Sequence, residues 1–372
     1  MKKIVFASHV TTIGDKQYDG IGNSLIATMI GMNRDFIFVR HSMDGLIKSE
    51  IHTYKNGKTA GSYRLKVFNS VAPLRYMTEI FASVAYFTFK SKANIYVGID
   101  PLNAVTGIIL KKISRVDKVI FYTSDYSEKR FKSKFLSKVY HWIDSYCVKH
   151  ADEVWSVSSR IVDIRKNMGL DDSKNIFVPN VPPLESNIST VKKDKFKLIT
   201  SGIIDRQLDF EGTLKAMDKL KTEYPKISLT IVGNSPIEDG LKKLTKKLGL
   251  GDRVEFTGRL SLKETLQRTS RAGVGLALYT GVWGFNKYGD STKCREYFNY
   301  GLPVLSTDTH STVKDIVNAK AGIISTKTVS SYVSGLRDIF DHYDEYSTNS
   351  LSVGKKYEGV HAKEISRILQ ES

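Results

Sequence analysis

The sequence predicts an α/β protein made of two doubly wound domains. Three observations lead there. Short apolar runs, several closed by a glycine, alternate with segments of helical period along almost the whole chain, the pattern left by the strands and crossover helices of open parallel sheets. The alternation is interrupted once, by a polar connection at 181–195 that carries Pro182 and Pro183. The chain has 372 residues, 41% of them hydrophobic, which is enough for two separate cores.

The first series opens with a buried-type strand at Lys3–Ser8, a polar loop with Gly20-Ile21-Gly22, and a helix at Asn23–Met32. That is how a doubly wound domain begins. Gly20 and Gly22 either let the loop turn or open it toward a ligand. Phe36–Arg40 reads as the second strand, and 49–68 has the patchiness of a hairpin. Pro73–Lys90 reads as a helix with Tyr76, Phe81, Tyr86, Phe87 and Phe89 and little charge. Interfacial helices carry a strongly basic face, so this one is expected in the core. Strands follow at Ile95–Ile99 and Lys118–Tyr122, with a helix at Asn103–Ile113 between them. Asp125 lies just past the carboxyl end of the second of these strands, where open sheets place ligand-facing residues. It is a candidate site residue or, alternatively, a turn residue. Glu128–His150 is the most basic piece, with Lys129, Arg130, Lys132, Lys134 and Lys138 beside an apolar stripe of Phe131, Phe135, Leu136, Val139, Ile143 and Val148. The stripe is expected to pack inward and the charges to act electrostatically.

The second series has strands at Phe196–Ser201, Ser228–Val232, Arg253–Phe256 and Val274–Leu278, with helices at Gly212–Lys221, Ile237–Leu248 and Leu262–Arg268. Arg206 is the only basic residue in 203–212. It is either a ligand-facing cation or an ordinary loop arginine. The stretch 290–306, DSTKCREYFNYGLPVLS, is a helix followed at once by a strand. Asp290, Ser291 and Thr292 are N-cap types, Gly301 stops the helix, and Pro303 bars its continuation. Lys293 and Glu296, three apart, share one side of the helix near its N-terminus. Free amides, a lysine and a carboxylate so arranged can hold a phosphate at one point and a hydroxyl-bearing ring at another. The chain closes with 316–324, a helix at Val329–Ile339 and a short segment at Ala362–Leu369.

The net charge of +17 points to an anionic partner: nucleic acid, an acidic membrane surface or phosphorylated substrates. Two cysteines, Cys147 and Cys294, fit a reducing compartment and no disulfide framework. The apolar run after Lys2-Lys3 is too short for a secretory signal, and no segment is long enough to span a bilayer. The expected location is cytoplasmic. No zinc spacing, G-x-S-x-G elbow or phosphate-loop motif is present.

The pattern K-x-x-E-Y-x-x-x-G-x-P-V, here Lys293, Glu296, Tyr297, Gly301, Pro303 and Val304, resembles the donor-site helix of retaining glycosyltransferases of the GT-B architecture, especially glycosyltransferase family 4. Ala151–Ser158, Ile176–Asn180, Leu229–Gly233 and Val254–Gly258 resemble further stretches of that family in the same order. The resemblance implies two Rossmann-like domains facing a central cleft: 1–183 for the acceptor, 184–355 for the nucleotide-sugar, and 356–372 as a helix crossing back to the first domain. It implies Glu296 on the ribose, and Arg206 with Ser291, Thr292 and Lys293 at the diphosphate. It implies Asp125 opposite the reacting sugar and Gly20 and Gly22 in the loop that meets the acceptor. The family's second glutamate falls at Tyr288 here, with Asp290 as its substitute or as an N-cap. The implied donor is a UDP- or GDP-sugar as co-substrate, with no cofactor and no metal. The implied acceptor is a glycan or lipid-linked hydroxyl, served by a peripheral enzyme at an anionic inner membrane face, with nucleic acid ranked behind. A nucleotide-sugar epimerase of the same architecture and a non-enzymatic anion-binding protein are the alternatives.

Overall fold

The computed structural model describes residues 2–13, 16–68, 71–182, 193–203, 205–234, 236–282 and 284–371. It divides into two compact units, Met1–Pro183 with Gly359–Ser372, and Leu184–Glu358.

The first unit runs β1 (Ile4–Ile13), β2 (Lys16–Tyr18), α1 (Gly20–Gly31), β3 (Phe36–Ser42), β4 (Glu50–Lys55), β5 (Lys58–Arg64), α2 (Ala72–Phe89), β6 (Ile95–Ile99), α3 (Pro101–Lys112), β7 (Lys118–Thr123), α4 (Lys134–His150), β8 (Glu153–Ser156), α5 (Ser159–Asn167) and β9 (Asn175–Phe177). Its sheet has the order β5-β4-β3-β1-β6-β7-β8-β9, with β2 paired to β1. The six strands from β3 to β9 in that order are parallel. The expected hairpin is real: β4 and β5 add an antiparallel edge to β3. The strands are continuous apolar runs because helices cover both faces of a parallel sheet. β3 reads FIFVRHS and is buried along nearly its whole length. Chain order reverses between β1 and β6, so this is the unit's topological switch point.

The second unit runs β10 (Lys197–Ser201), α6 (Phe210–Leu220), β11 (Ser228–Val232), α7 (Glu238–Lys247), β12 (Val254–Phe256), α8 (Leu262–Arg271), β13 (Val274–Ala277), α9 (Thr292–Asn299), β14 (Val304–Thr307), α10 (Val313–Ala319), β15 (Gly322–Ser325), α11 (Val329–Asp341) and α12 (Tyr343–Tyr357). The last helix, α13 (Val360–Glu371), belongs to the first unit, where His361 bonds Ser24 and Tyr122. The second sheet has the all-parallel order β12-β11-β10-β13-β14-β15, with its switch point between β10 and β13. That is the dinucleotide-fold order.

Three expectations need correction. Gly20 and Gly22 are not in a loop: they form the first turn of α1, and the Gly22 amide donates to the Asp19 cap at 2.7 Å. Of the stripe expected on Glu128–His150, Ile143 and Val148 pack on the core, beside Ser137, Asp144 and Cys147, whereas Phe131, Phe135, Leu136 and Val139 are exposed, Phe135 at 72%. Asp144 turns inward because the buried Arg165 on α5 clasps it. α2 is likewise no ordinary core helix. Its buried face is Arg75, Glu79, Ser83 and Phe87, and its outer face is apolar.

Candidate functional site

The site in the second unit is built on α9. Ser291 caps the helix by accepting from the Cys294 amide, and it also shares a hydrogen bond with the Tyr279 hydroxyl. It is buried, so its hydroxyl is committed to the fold. Asp290 is neither the cap nor a free carboxylate. It takes two nitrogens of Arg295 at 2.8–3.1 Å and the Thr312 hydroxyl at 2.8 Å. Arg295 also pairs with Asp315 at 2.9 Å and lies over the Tyr357 ring, tying α9 to α10 and α12. Burial of this cation is tolerated because two carboxylates surround it, and they hold its pKa above the ordinary arginine value.

On the other side, Tyr297 fastens α9 over the switch point. Its hydroxyl donates to the carbonyls of Ile199 on β10 and Leu276 on β13. The approach is so close that a Cβ on Gly275 would sit 2.2 Å from the Tyr297 ring. Only glycine allows it.

This packing leaves Lys293 and Glu296 half-buried on the N-terminal half of α9. The Lys293 ammonium lies 5.1 Å from the centre of the Tyr279 ring and beside Gly202, where β10 ends. Burial draws its pKa from 10.5 down to about 8, although Glu296 and Asp205 pull upward. Burial pushes the Glu296 carboxyl from 4.5 up to about 7, against the pull of Lys293. Among the described residues neither group has a hydrogen-bond or ion-pair partner. Arg206 is exposed in the loop after β10. That loop is pinned to the end of β13: Thr280 donates its hydroxyl to the Arg206 carbonyl at 2.8 Å and its amide to the Gln207 carbonyl. So Lys293, Glu296 and the Arg206 loop gather at one switch point, with Thr292 half-buried in the same first turn. A cation at a helix N-terminus suits a phosphate, and a carboxylate one turn on suits vicinal hydroxyls.

In the first unit, Asp125 accepts from Arg130 at 2.5 Å, in the loop between β7 and α4. The Arg130 guanidinium also faces the Tyr140 ring at 5.1 Å, so the carboxylate has a fixed anchor.

A second polar centre was not singled out from the sequence. At the switch point between β1 and β6, His9 Nδ1 meets Asp100 Oδ2 at 2.6 Å and His9 Nε2 meets Glu79 Oε2 at 3.1 Å. Burial disfavours a charged ring, but the two carboxylates overcome it and hold His9 up at about 10. His41 hydrogen-bonds Ser49 and Ser83 and stays neutral, its pKa lowered by burial to about 4. Asp100 caps α3 with φ at +83°, a region that favours glycine, and the cap bonds to Asn103 fix it there. The available signal was Glu79, the lone acid of α2.

Among the described residues no group of three His, Cys, Asp or Glu side chains could hold a metal ion. No helix among them is long and apolar enough to cross a membrane.

Residues 183–349 match the family described as glycosyl transferases group 1. Over 77 residues the chain is 32% identical to the lipopolysaccharide core biosynthesis glycosyltransferase LpsD of Rhizobium meliloti (strain 1021). The match covers 21% of this chain and 21% of that protein, so the aligned stretch spans about a fifth of the curated relative. Among solved structures, HepE of Anabaena in complex with UDP superposes with a TM-score of 0.69 at 13% identity, covering 100% of both chains. The apo form of the lipopolysaccharide outer core galactosyltransferase WaaB gives 0.68 at 15% identity, again over 100% of both chains. Sucrose-phosphate synthase from Thermosynechococcus elongatus gives 0.68 at 14%, over 100% of this chain and 99% of that one. At these identities the likeness is one of fold. The chain thus has the GT-B fold, and its residues 183–349 match the glycosyl transferases group 1 family.

Proposed function

We propose that the protein transfers a sugar from a UDP-sugar to a hydroxyl of a glycan or lipid-linked acceptor, with retention of configuration. The observation that carries this reading is the pair Lys293 and Glu296. A half-buried ammonium and a half-buried carboxylate with no hydrogen-bond or ion-pair partner among the described residues are costly in a protein of no further purpose, and both are relieved by a nucleoside diphosphate. Relatives of similar fold are described with UDP or UDP-glucose bound, which favours uridine over guanosine as the base.

The leaving group gathers negative charge on its β-phosphate as the glycosidic bond breaks. The first-turn amides of α9 at Thr292 and Lys293, the Lys293 ammonium and the Arg206 guanidinium meet that charge without a metal. Glu296 takes the ribose hydroxyls. A lysine with a pKa near 8 keeps its proton at neutral pH and bonds more strongly to a dianion than to water. The first unit takes the acceptor. Its candidate groups are Asp125, set by Arg130, and the first turn of α1 at Gly20 and Gly22. The lysines of 129–138 draw the protein to an anionic membrane face, each contributing about 1 kcal/mol near the surface.

The test is turnover of a panel of UDP- and GDP-sugars, followed by nuclear magnetic resonance of the products. Release of UDP with a retained anomeric linkage on an acceptor or on water supports the reading. An epimerised sugar with UDP still attached would move the protein to the epimerase alternative. No turnover and no nucleotide binding would leave the anion-binding alternative.

A further inference from the structure

The first unit carries two helices that bury polar side chains beside apolar ones and leave other large apolar side chains exposed. On α2, the polar and charged residues Arg75, Glu79 and Ser83 are buried. Arg75 donates to the Met43 carbonyl, Glu79 takes His9 and Ser49, and Ser83 bonds His41. The outward positions are Leu74, Met77, Phe81 and Phe89, with Phe81 67% and Phe89 84% exposed. They recur at helical spacing over 16 of the 18 residues of the helix, a strip about 24 Å long. The acids in α2 are limited to Glu79, which faces inward. On α4, Ser137 and Asp144 are buried beside Cys147 and Val148, and Phe135, Val139 and Trp142 point out. Helix α3 packs between α2 and α4, so the two apolar strips flank one helical layer on one unit.

A soluble surface seldom keeps a long aromatic strip uncovered. Its surroundings identify what covers it. Lys90, Lys112, Lys129, Lys132, Lys134, Lys138 and Lys149 border the layer and are exposed. Between 129 and 150 the single acid, Asp144, is buried against Arg165. A second copy of the chain would bring the same positive rim against itself. An anionic lipid surface supplies opposite charge at the rim and an apolar interior for the rings, the demand that aromatic and lysine side chains meet together at a membrane interface.

We propose that α2, together with Phe135 and Trp142 of α4, is a shallow insertion face that seats the first unit in an anionic bilayer. This deepens the membrane part of the proposed function and rests on it. α2 supplies apolar depth and the α4 lysines supply long-range attraction, two signals that together give stable but reversible anchoring.

The experiment uses the full chain with vesicles of phosphatidylcholine alone or mixed with phosphatidylglycerol, at physiological salt. Wild type is expected to sediment with the mixed vesicles and to show quenching of Trp142 by brominated lipid. Replacing Leu74, Met77, Phe81 and Phe89 together by serine should lower the partition coefficient at least tenfold with UDP affinity unchanged. Phe81→Ser alone, on the exposed face, carries the test if the fourfold variant does not fold, with a several-fold loss expected. Unchanged partition of these variants overturns the proposal. So does a wild-type dimer by light scattering that the α2 variant converts to monomer. UDP affinity, read on the same samples, reports separately on the donor site: its absence in wild type counts against the transferase reading, while vesicle partition still decides the insertion face.

Discussion

Replacing Glu296 by glutamine should stabilise the protein while weakening its grip on nucleotide. The carboxyl titrates near 7 in the fold against 4.5 unperturbed, because the half-buried surroundings disfavour its charge. A carboxyl whose folded pKa is raised opposes folding as pH climbs. The penalty is absent below about 4.5, grows between 4.5 and 7, and is fully present above 7. The full shift corresponds to an upper bound of about 3 kcal/mol. Solvent reaches part of the side chain, so screening reduces this to on the order of 1–2 kcal/mol. Glutamine keeps the shape and drops the charge. For a unit of this size the gain corresponds to a rise in Tm of about 2–8 °C. The assay is thermal or urea unfolding of wild type and Glu296→Gln at pH 5 and pH 8. The difference should be small at pH 5 and clear at pH 8, in favour of the variant. A variant less stable than wild type at pH 8, or a difference independent of pH, refutes the view that this carboxylate is held against its own preference. Groups arranged for a ligand commonly cost stability in this way.

Gly275→Ala places a Cβ against the Tyr297 ring; overpacking of this kind costs about 1–3 kcal/mol, and urea unfolding should show it together with weaker UDP binding as α9 is pushed off β13. His9→Gln leaves the Asp100 and Glu79 carboxylates buried without their cation and should cost about 3–5 kcal/mol at pH 6. The raised His9 pKa contributes stability that is complete below about 6.5 and is lost as pH rises toward 10. The gap between wild type and variant in urea should therefore narrow at pH 10, and a gap that widens contradicts the imidazolium assignment. Because the phosphate-facing groups are cationic, sugar transfer should survive EDTA; loss on chelation with recovery on adding magnesium or manganese would assign that charge to a metal instead.

The periodic parts of the fold could be read from the sequence because they follow local physics. The apolar runs at 228–232 and 304–307 are strands, and Gly301, at φ +59°, ends α9 where the pattern breaks. Lys293 and Glu296 were legible because they are three apart on a helix whose start and stop are both marked. What escaped depends on contacts distant in sequence. Helix α12 has the serines and threonine of a loop, yet Ser347 and Ser350 donate to the carbonyls of Gly301 and Leu302, closing the end of α9. Their purpose exists only in the folded unit. Arg75, Glu79 and Asp144 carry no signal in the local pattern that they turn inward. Each turns inward because a partner on another element waits there: Met43, His9 and Arg165. Phe81 and Phe89 of α2 and Phe135 of α4 were therefore expected to face the core but face solvent. Asp290 has the composition of a cap, but its partner Arg295 lies one turn further along the helix and takes it.

The most direct measurement is calorimetric titration of UDP into wild type, Lys293→Met and Glu296→Ala at pH 7.5. The account predicts one site in wild type, and a loss of about 1.5–3 kcal/mol in each variant, the worth of a charge-assisted hydrogen bond, with far-ultraviolet circular dichroism unchanged. Equal affinity in all three proteins, or no UDP binding by wild type, would contradict it.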